Sequence, residues 1–233
     1  MNRHNLGSRV GSIVVFVTAL AGPARAQKTP PADHPLFPQP LEIELALSAA
    51  PKYLRDGAAV MVLAPTGYVK AREASNAFTC IVNRRGGDLF PVCWDAEGAR
   101  SVLPVDVDAV KARLGGATNA EVDRMVADGY RSGRYHPPAR AGISYMLSPL
   151  RYRFDEQGHV TRTNSSPHLM FYGPNLTDAD IGGQRGAFAF INRVGPDGMI
   201  IVPVGSVERE TILSETRSLV ERVERQIGYK PPQ

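Results

Sequence analysis

Apolar and polar positions repeat with two periods along this chain, and the change of period divides it. Residues 58–64 are a nearly continuous apolar run closed by the turn signal Pro65-Thr66-Gly67. Residues 68–74 then alternate, with Tyr68, Lys70 and Arg72 on one side and Val69, Ala71 and Glu73 on the other, as in an antiparallel strand with one wet face. Ser75-Asn76 turns the chain into 78–83, and three consecutive strands in a meander are the simplest reading. After Trp94 the period lengthens: 107–114 and 122–130 read as helices. The second opens on a Thr118-Asn119-Ala120-Glu121 capping box, and Val122, Met125, Val126 and Tyr130 form its apolar face.

Alternation returns at 143–147, 151–154 and 168–172. It continues at 187–192 and 199–204, which flank Gly195-Pro196-Asp197-Gly198, a hairpin connection. Two further helices are expected. One, at 41–50, places Ile43, Leu47 and Ala50 on one face and is stopped by Pro51. The other, at 208–227, is charged and amphipathic, with Ile212, Leu219, Val223 and Ile227 along one side and Gly228 at its end. Arg217, Glu221 and Arg225 follow at intervals of four and give it mild support. The expected fold is α+β: a mainly antiparallel sheet in two strand groups, with helices inserted between them and one helix at the C-terminus.

The first 26 residues are patterned for targeting. Arg3 and Arg9 form a basic front, Val10 to Leu20 is apolar apart from Gly11, Ser12 and Thr18, and Ala24-Arg25-Ala26 offers small residues at both recognition positions of a cleavage site. A membrane anchor is the alternative, but the apolar run falls short of the about 20 residues a spanning helix needs. Cleavage after Ala26 is expected. Residues 27–40 then carry Pro30, Pro31, Pro35, Pro38 and Pro40, and read as an extended tether before a single domain over 41–233.

Cleavage changes the charge picture. The whole chain holds 27 Lys and Arg against 23 Asp and Glu; without Arg3, Arg9 and Arg25 the balance is 24 to 23, a net of +1. A nucleic-acid partner calls for a concentrated basic surface. The densest pair, Arg84-Arg85 beside Gly86-Gly87, reads only as a solvated turn, so no nucleic-acid partner is expected.

Cys80 and Cys93 are the only cysteines. In an oxidising compartment an even count favours a disulfide. A catalytic thiolate would need a neighbouring base, and a zinc site further ligands close in sequence; neither is signalled.

Candidate chemistry is sparse. Of the histidines past the leader (His34, His136, His159 and His168), His168 stands out because Pro167-His168-Leu169-Met170-Phe171-Tyr172 sets an imidazole at the head of an apolar strand. Such a histidine serves as a general base, as a metal ligand or as a hydrogen-bonded cap of the sheet. Tyr172 falls on the same side as His168, with Met170 between them, and suits a pocket lining or a core position whose hydroxyl finds a partner. Glu73, Asn76 and Asp95 flank the cysteine loop, and Glu73 or Asp95 could supply a carboxylate to His168. Trp94 offers a stacking surface or a cover for the disulfide, the latter being favoured. No Gly-x-Ser-x-Gly elbow, phosphate-binding loop or dinucleotide fingerprint occurs, so no cofactor is implied.

Asn76-Ala77-Phe78-Thr79-Cys80, Pro91-Val92-Cys93 and Pro167-His168-Leu169-Met170-Phe171-Tyr172 together resemble a group of uncharacterised exported bacterial proteins over about residues 42–204. The resemblance implies a bacterial envelope origin and carries no reaction or ligand. Together with the leader, it points to a periplasmic or secreted binding or accessory protein. The expected partner is a small ligand or an envelope component, with no membrane span once the leader is removed. His168, Glu73 and Asp95 are the candidate catalytic residues of an alternative hydrolase, and a His168-centred metal site is a second alternative. Tyr172, Trp94 and Asn76 are the candidate binding residues.

Overall fold

A computed structural model describes Met1 and residues 35–155, 157–163, 166–184 and 188–230. The leader read over 1–26 lies outside the described residues apart from Met1, as do the first part of the tether and His34.

The described chain begins with α1 (Gln39–Leu47) and α2 (Lys52–Arg55), then β1 (Ala59–Ala64), β2 (Gly67–Arg72), β3 (Thr79–Asn83) and β4 (Asp88–Trp94). Three helices follow: α3 (Ala96–Ser101), α4 (Leu103–Leu114) and α5 (Asn119–Arg131). Next come β5 (Ile143–Met146), β6 (Tyr152–Phe154), β7 (Val160–Arg162), β8 (His168–Tyr172), β9 (Phe190–Ile191) and β10 (Met199–Pro203). The last element is α6 (Ser206–Ile227). The fold is α+β. The two strand groups join into one sheet of order β2-β1-β3-β4-β5-β8-β10-β9, from which β6 and β7 branch as a hairpin against β4.

The meander expected for the first three strands does not form. β1 and β2 are an antiparallel hairpin, but β3 returns to the far side of β1 and runs parallel to it, pairing Ala59 with Thr79 and Val60 with Cys80. The reason lies in burial. Ile81 and Val82 are both sealed, so β3 needs cover on both faces and takes an interior place, while β2, with Val69 and Lys70 in solvent, takes the edge.

The helices start where local chemistry sets them. The Thr118–Glu121 capping box forms as expected. Helix α3, not anticipated from the sequence, is capped by the Asp95 side chain, which accepts from the Gly98 amide. Gly228 ends α6 in a left-handed conformation, the usual stop that a side chain would strain. The charges of α6 pair with the body of the protein: Lys52 with Glu215, Arg162 with Glu224 and Arg222 with Glu44. Among the described residues, no helix is long and apolar enough to cross a membrane.

Two apolar clusters cover the sheet, one on each face. On one side α1 and α6 pack over β1, β3 and β4, burying Leu45, Val60, Val82, Leu89, Tyr152 and Val223. Cys80 and Cys93 belong to this side; they sit directly opposite each other on β3 and β4 and are joined by a disulfide. On the other side α3 and α4 cover only part of the sheet, over Ile81, Val92, Val102 and Val110.

The Arg84-Arg85 pair is the largest departure from expectation. Arg84 is fully buried, not a solvated turn. Its guanidinium donates to both carboxylate oxygens of Glu42 at 2.9 and 2.7 Å, to the Val82 carbonyl at 2.8 Å and to the Pro35 carbonyl at 3.1 Å, and it lies over the Phe37 ring. Glu42 also accepts from the Leu63 amide at 3.0 Å. Burial opposes the charge of Arg84, yet Glu42 holds its pKa above the ordinary range. Residues 35–40, read as part of the tether, are therefore docked: Pro35 and Phe37 close over Arg84, and α1 begins at Gln39.

Candidate functional site

Strand β4 positions the site. Its side chains alternate: Leu89 and Cys93 enter the sealed core, while Val92 and Trp94 enter the opposite cluster, and Asp88 and Phe90 share their phase. Along one edge β4 pairs with β3. Along the other it pairs with β6 at Asp88 and Leu89 and with β5 at Cys93 and Trp94. The chain passes from β5 to β6 through Arg151, which is carried to the Asp88 end.

The strands beyond β4 extend the same face. Ser144 stands opposite Trp94 and Met170, Met146 opposite His168, Ile201 opposite Met170 and Pro203 opposite His168. Helices α3 and α4 leave this part of the face uncovered, and a cavity of about 660 Å³ lies there. That volume is within the range of small-molecule sites. Its apolar lining includes Phe90, Trp94, Met146, Met170, Met199 and Ile201. Three methionines make such a surface adaptable to shape.

The polar lining falls into two clusters. In one, Arg151 donates to Asp88 at 2.6 Å and Arg153 donates to the other Asp88 oxygen at 2.6 Å. Two cations thus share one carboxylate, and their hydrogen bonds, outweighing burial, hold Asp88 below the usual carboxylate range. Arg151 also lies over the Phe90 ring, with its guanidinium carbon 5.4 Å from the ring centre. In the other, Arg85 faces Asp106 at 3.5 Å and Asp197 at 3.4 Å, and Arg193 pairs with Asp197. Asn83 donates to Asp106 at 2.7 Å. Burial pushes Asp106 up against the opposing pull of Arg85 and Arg193. Here two cations meet two carboxylates.

His168 lines the cavity and is 7% exposed. Its Nδ1 lies 2.7 Å from the Ser166 carbonyl, which can only accept, so Nδ1 carries the hydrogen and Nε2 the lone pair. Nε2 has no hydrogen-bond partner among the described residues. Burial, with the charge of nearby Arg151, pulls His168 below its ordinary pKa of 6.5 although the Ser166 carbonyl opposes this, so the imidazole is neutral at neutral pH.

The other candidate residues lie apart. Glu73 is exposed and paired with Lys70. Asp95 caps α3, and its second oxygen accepts from the Ile143 amide at 2.9 Å. Neither lines the cavity, so no Glu73 or Asp95 partner for His168 is assembled. Asn76 is spent on the backbone, donating to Leu54 and accepting from Phe78. Tyr172 is buried and donates its hydroxyl to Asp95 at 2.7 Å. Gly98 and Gly142 both lie against its ring or hydroxyl, where a methyl group would collide. Trp94 does not cover the disulfide: alternation sends it to the opposite face, into the cavity lining.

Among the described residues, no group of three or more His, Cys, Asp and Glu side chains is placed to hold a metal ion. Sequence reasoning missed Arg151, Arg153, Asp88, Asp106 and Asp197. The available signal was an arginine on each side of Tyr152, at positions 151 and 153, with Asp88 at the head of an apolar strand.

Fold and site define an α+β protein with a ligand-sized cavity, apolar along the sheet and bounded by arginine–aspartate clusters. No family model, curated protein or solved structure matches the chain.

Proposed function

We propose that this is an exported small-molecule-binding protein of the bacterial envelope and that the cavity over β4, β5, β8 and β10 is its ligand site. The observation that carries this reading is the part of the sheet face that α3 and α4 leave open, lined by Trp94, Met146 and Met170 beside a neutral His168 whose Nε2 has no partner among the described residues. The export half rests on the leader pattern, and the Cys80–Cys93 disulfide is compatible with an oxidising compartment. The expected exported product begins at Gln27; an intact amino terminus on protein recovered from outside the cytoplasm overturns cleavage.

The ligand half is tested by thermal denaturation of the purified exported protein against envelope saccharides, peptides, lipids and small acids. A ligand at a hundred times its Kd adds about 2.7 kcal/mol. That gain is expected to vanish in Met170→Trp, which fills the cavity from the sheet side. A gain that survives Met170→Trp, or no gain with any probe, overturns this site.

A second reading, hydrolysis with His168 as general base, is favoured by one observation: Nδ1 is fixed by a carbonyl while Nε2 keeps a lone pair, the arrangement that lets an imidazole take a proton. Turnover of an ester or glycoside panel that is lost in His168→Gln, with ligand binding retained, would support it. Unchanged turnover in that variant would end it.

A further inference from the structure

The two polar clusters of the cavity differ in charge balance. In the first, Arg85 and Arg193 are met by Asp106 and Asp197, and Asp123 adds a further carboxylate to the lining. In the second, Arg151 and Arg153 share Asp88 as their single carboxylate among the described residues, one positive charge in excess. The sealed polar atoms without a partner on cavity-lining residues are Arg151 Nε and Trp94 Nε1, and both are donors. Both atoms are sealed from solvent, so the groups a ligand head can reach are the outer nitrogens of Arg151 and Arg153, whose side chains are 35% and 61% exposed. The Arg151–Arg153–Asp88 cluster thus carries one positive charge in excess, next to an apolar floor and the His168 imidazole. These call for an acidic head joined to an apolar body.

We propose that the cavity takes an amphipathic anion, its carboxylate or phosphate head held by Arg151 and Arg153 and its apolar body laid along Trp94, Met146, Met170 and Met199. This rests on the assignment of the cavity as a ligand site. Arginine suits the head because its planar fork donates in pairs to carboxylate and phosphate oxygens. Asp88 holds both guanidinium groups in place from the sheet side, so the head meets cations that are already positioned.

The chain contains a single tryptophan, Trp94, so its fluorescence reports on the cavity directly. The exported protein is titrated with decanoate, decyl phosphate and uncharged decanol. Decanoate or decyl phosphate is expected to change the emission saturably, with decanol binding about tenfold or more weakly, as the loss of a charge-assisted hydrogen bond implies. Arg151→Met is expected to bring the anion's affinity down to that of decanol while leaving decanol unchanged. Arg153→Gln, at a more exposed position, repeats the test with an amide that can still donate to Asp88, its melting temperature being measured alongside. Phosphatidylglycerol vesicles separate the sources. Co-sedimentation that Arg151→Met abolishes supports a lipid headgroup, whereas decanoate binding without co-sedimentation supports a free acid.

Equal affinity for decanol and decanoate overturns the proposal while leaving the cavity as a ligand site. So does saturable binding of a saccharide or peptide with none of the anions. If no probe at all changes Trp94 emission, both readings fall.

Discussion

The two faces of β4 treat charge in opposite ways. On the sealed side the chain enters α1 and α6, and the nearest charges, Arg84 and Glu42, are locked together with nearly every donor and acceptor used. On the open side, Asp88 holds two arginines that remain 35% and 61% exposed, and one of them keeps a donor without a partner. Arg84 and Arg85 are neighbours in sequence, yet one is part of the sealed core and the other lines the cavity. A buried pair that satisfies itself stabilises or specifies the fold; an incompletely satisfied one at a cavity is available to a ligand.

The sharpest way to break this comparison is to remove Glu42. Glu42→Ala strands the Arg84 guanidinium in the core and is expected to cost about 3–5 kcal/mol, read as a lower denaturant midpoint. Adding Arg84→Met to Glu42→Leu is expected to recover most of that loss, because the stranded charge is gone. A small cost for Glu42→Ala alone would mean that Arg84 finds water or another partner.

The disulfide comes next. Replacing both Cys80 and Cys93 by Ser, or reducing the bond, is expected to cost up to about 3 kcal/mol from the unfolded chain's restored freedom. Because Trp94 points to the other face, its emission in the folded protein should barely change; a large change would mean that the faces are coupled.

Tyr172→Phe removes the hydroxyl that bonds Asp95 and is expected to cost about 1–2 kcal/mol. Ligand affinity should be unchanged, since Tyr172 lies outside the cavity lining. An affinity loss larger than the stability loss would place Tyr172 in the site.

The smallest effect is a pH slope. The folded pKa of His168 lies below its ordinary 6.5, so between those two values the unfolded chain binds more protons and stability falls as pH falls. His168→Gln should flatten melting temperature against pH just below 6.5; an unchanged slope would assign it to another group.

Much of the fold was legible. The period of two at 168–172, the Thr118–Glu121 box and the apolar stripe of α6 marked elements the structure reproduces, because each follows from local geometry that neighbours only reinforce. Helix α3 escaped notice: it is short, contains Gly98 and carries little apolar pattern, its start being set by the Asp95 cap. The parallel placement of β3 beside β1 also escaped, since pairing partners are chosen by burial, not by adjacency in sequence.

The site was half legible. His168 could be found because an imidazole at the head of an apolar strand is unusual. Its neighbours could not, because Asp88 lies 63 and 65 residues from Arg151 and Arg153 and meets them only when β4 pairs with β6. The sequence by itself determined the element types, the sulfur pair and the side of β8 that carries His168, all of which depend on residues near one another. Only the tertiary structure decided that Arg84 is sealed, that Trp94 faces away from the disulfide and that two arginines share one aspartate beside the open part of the sheet. Those outcomes depend on which surfaces are left without cover once every strand has found its partner.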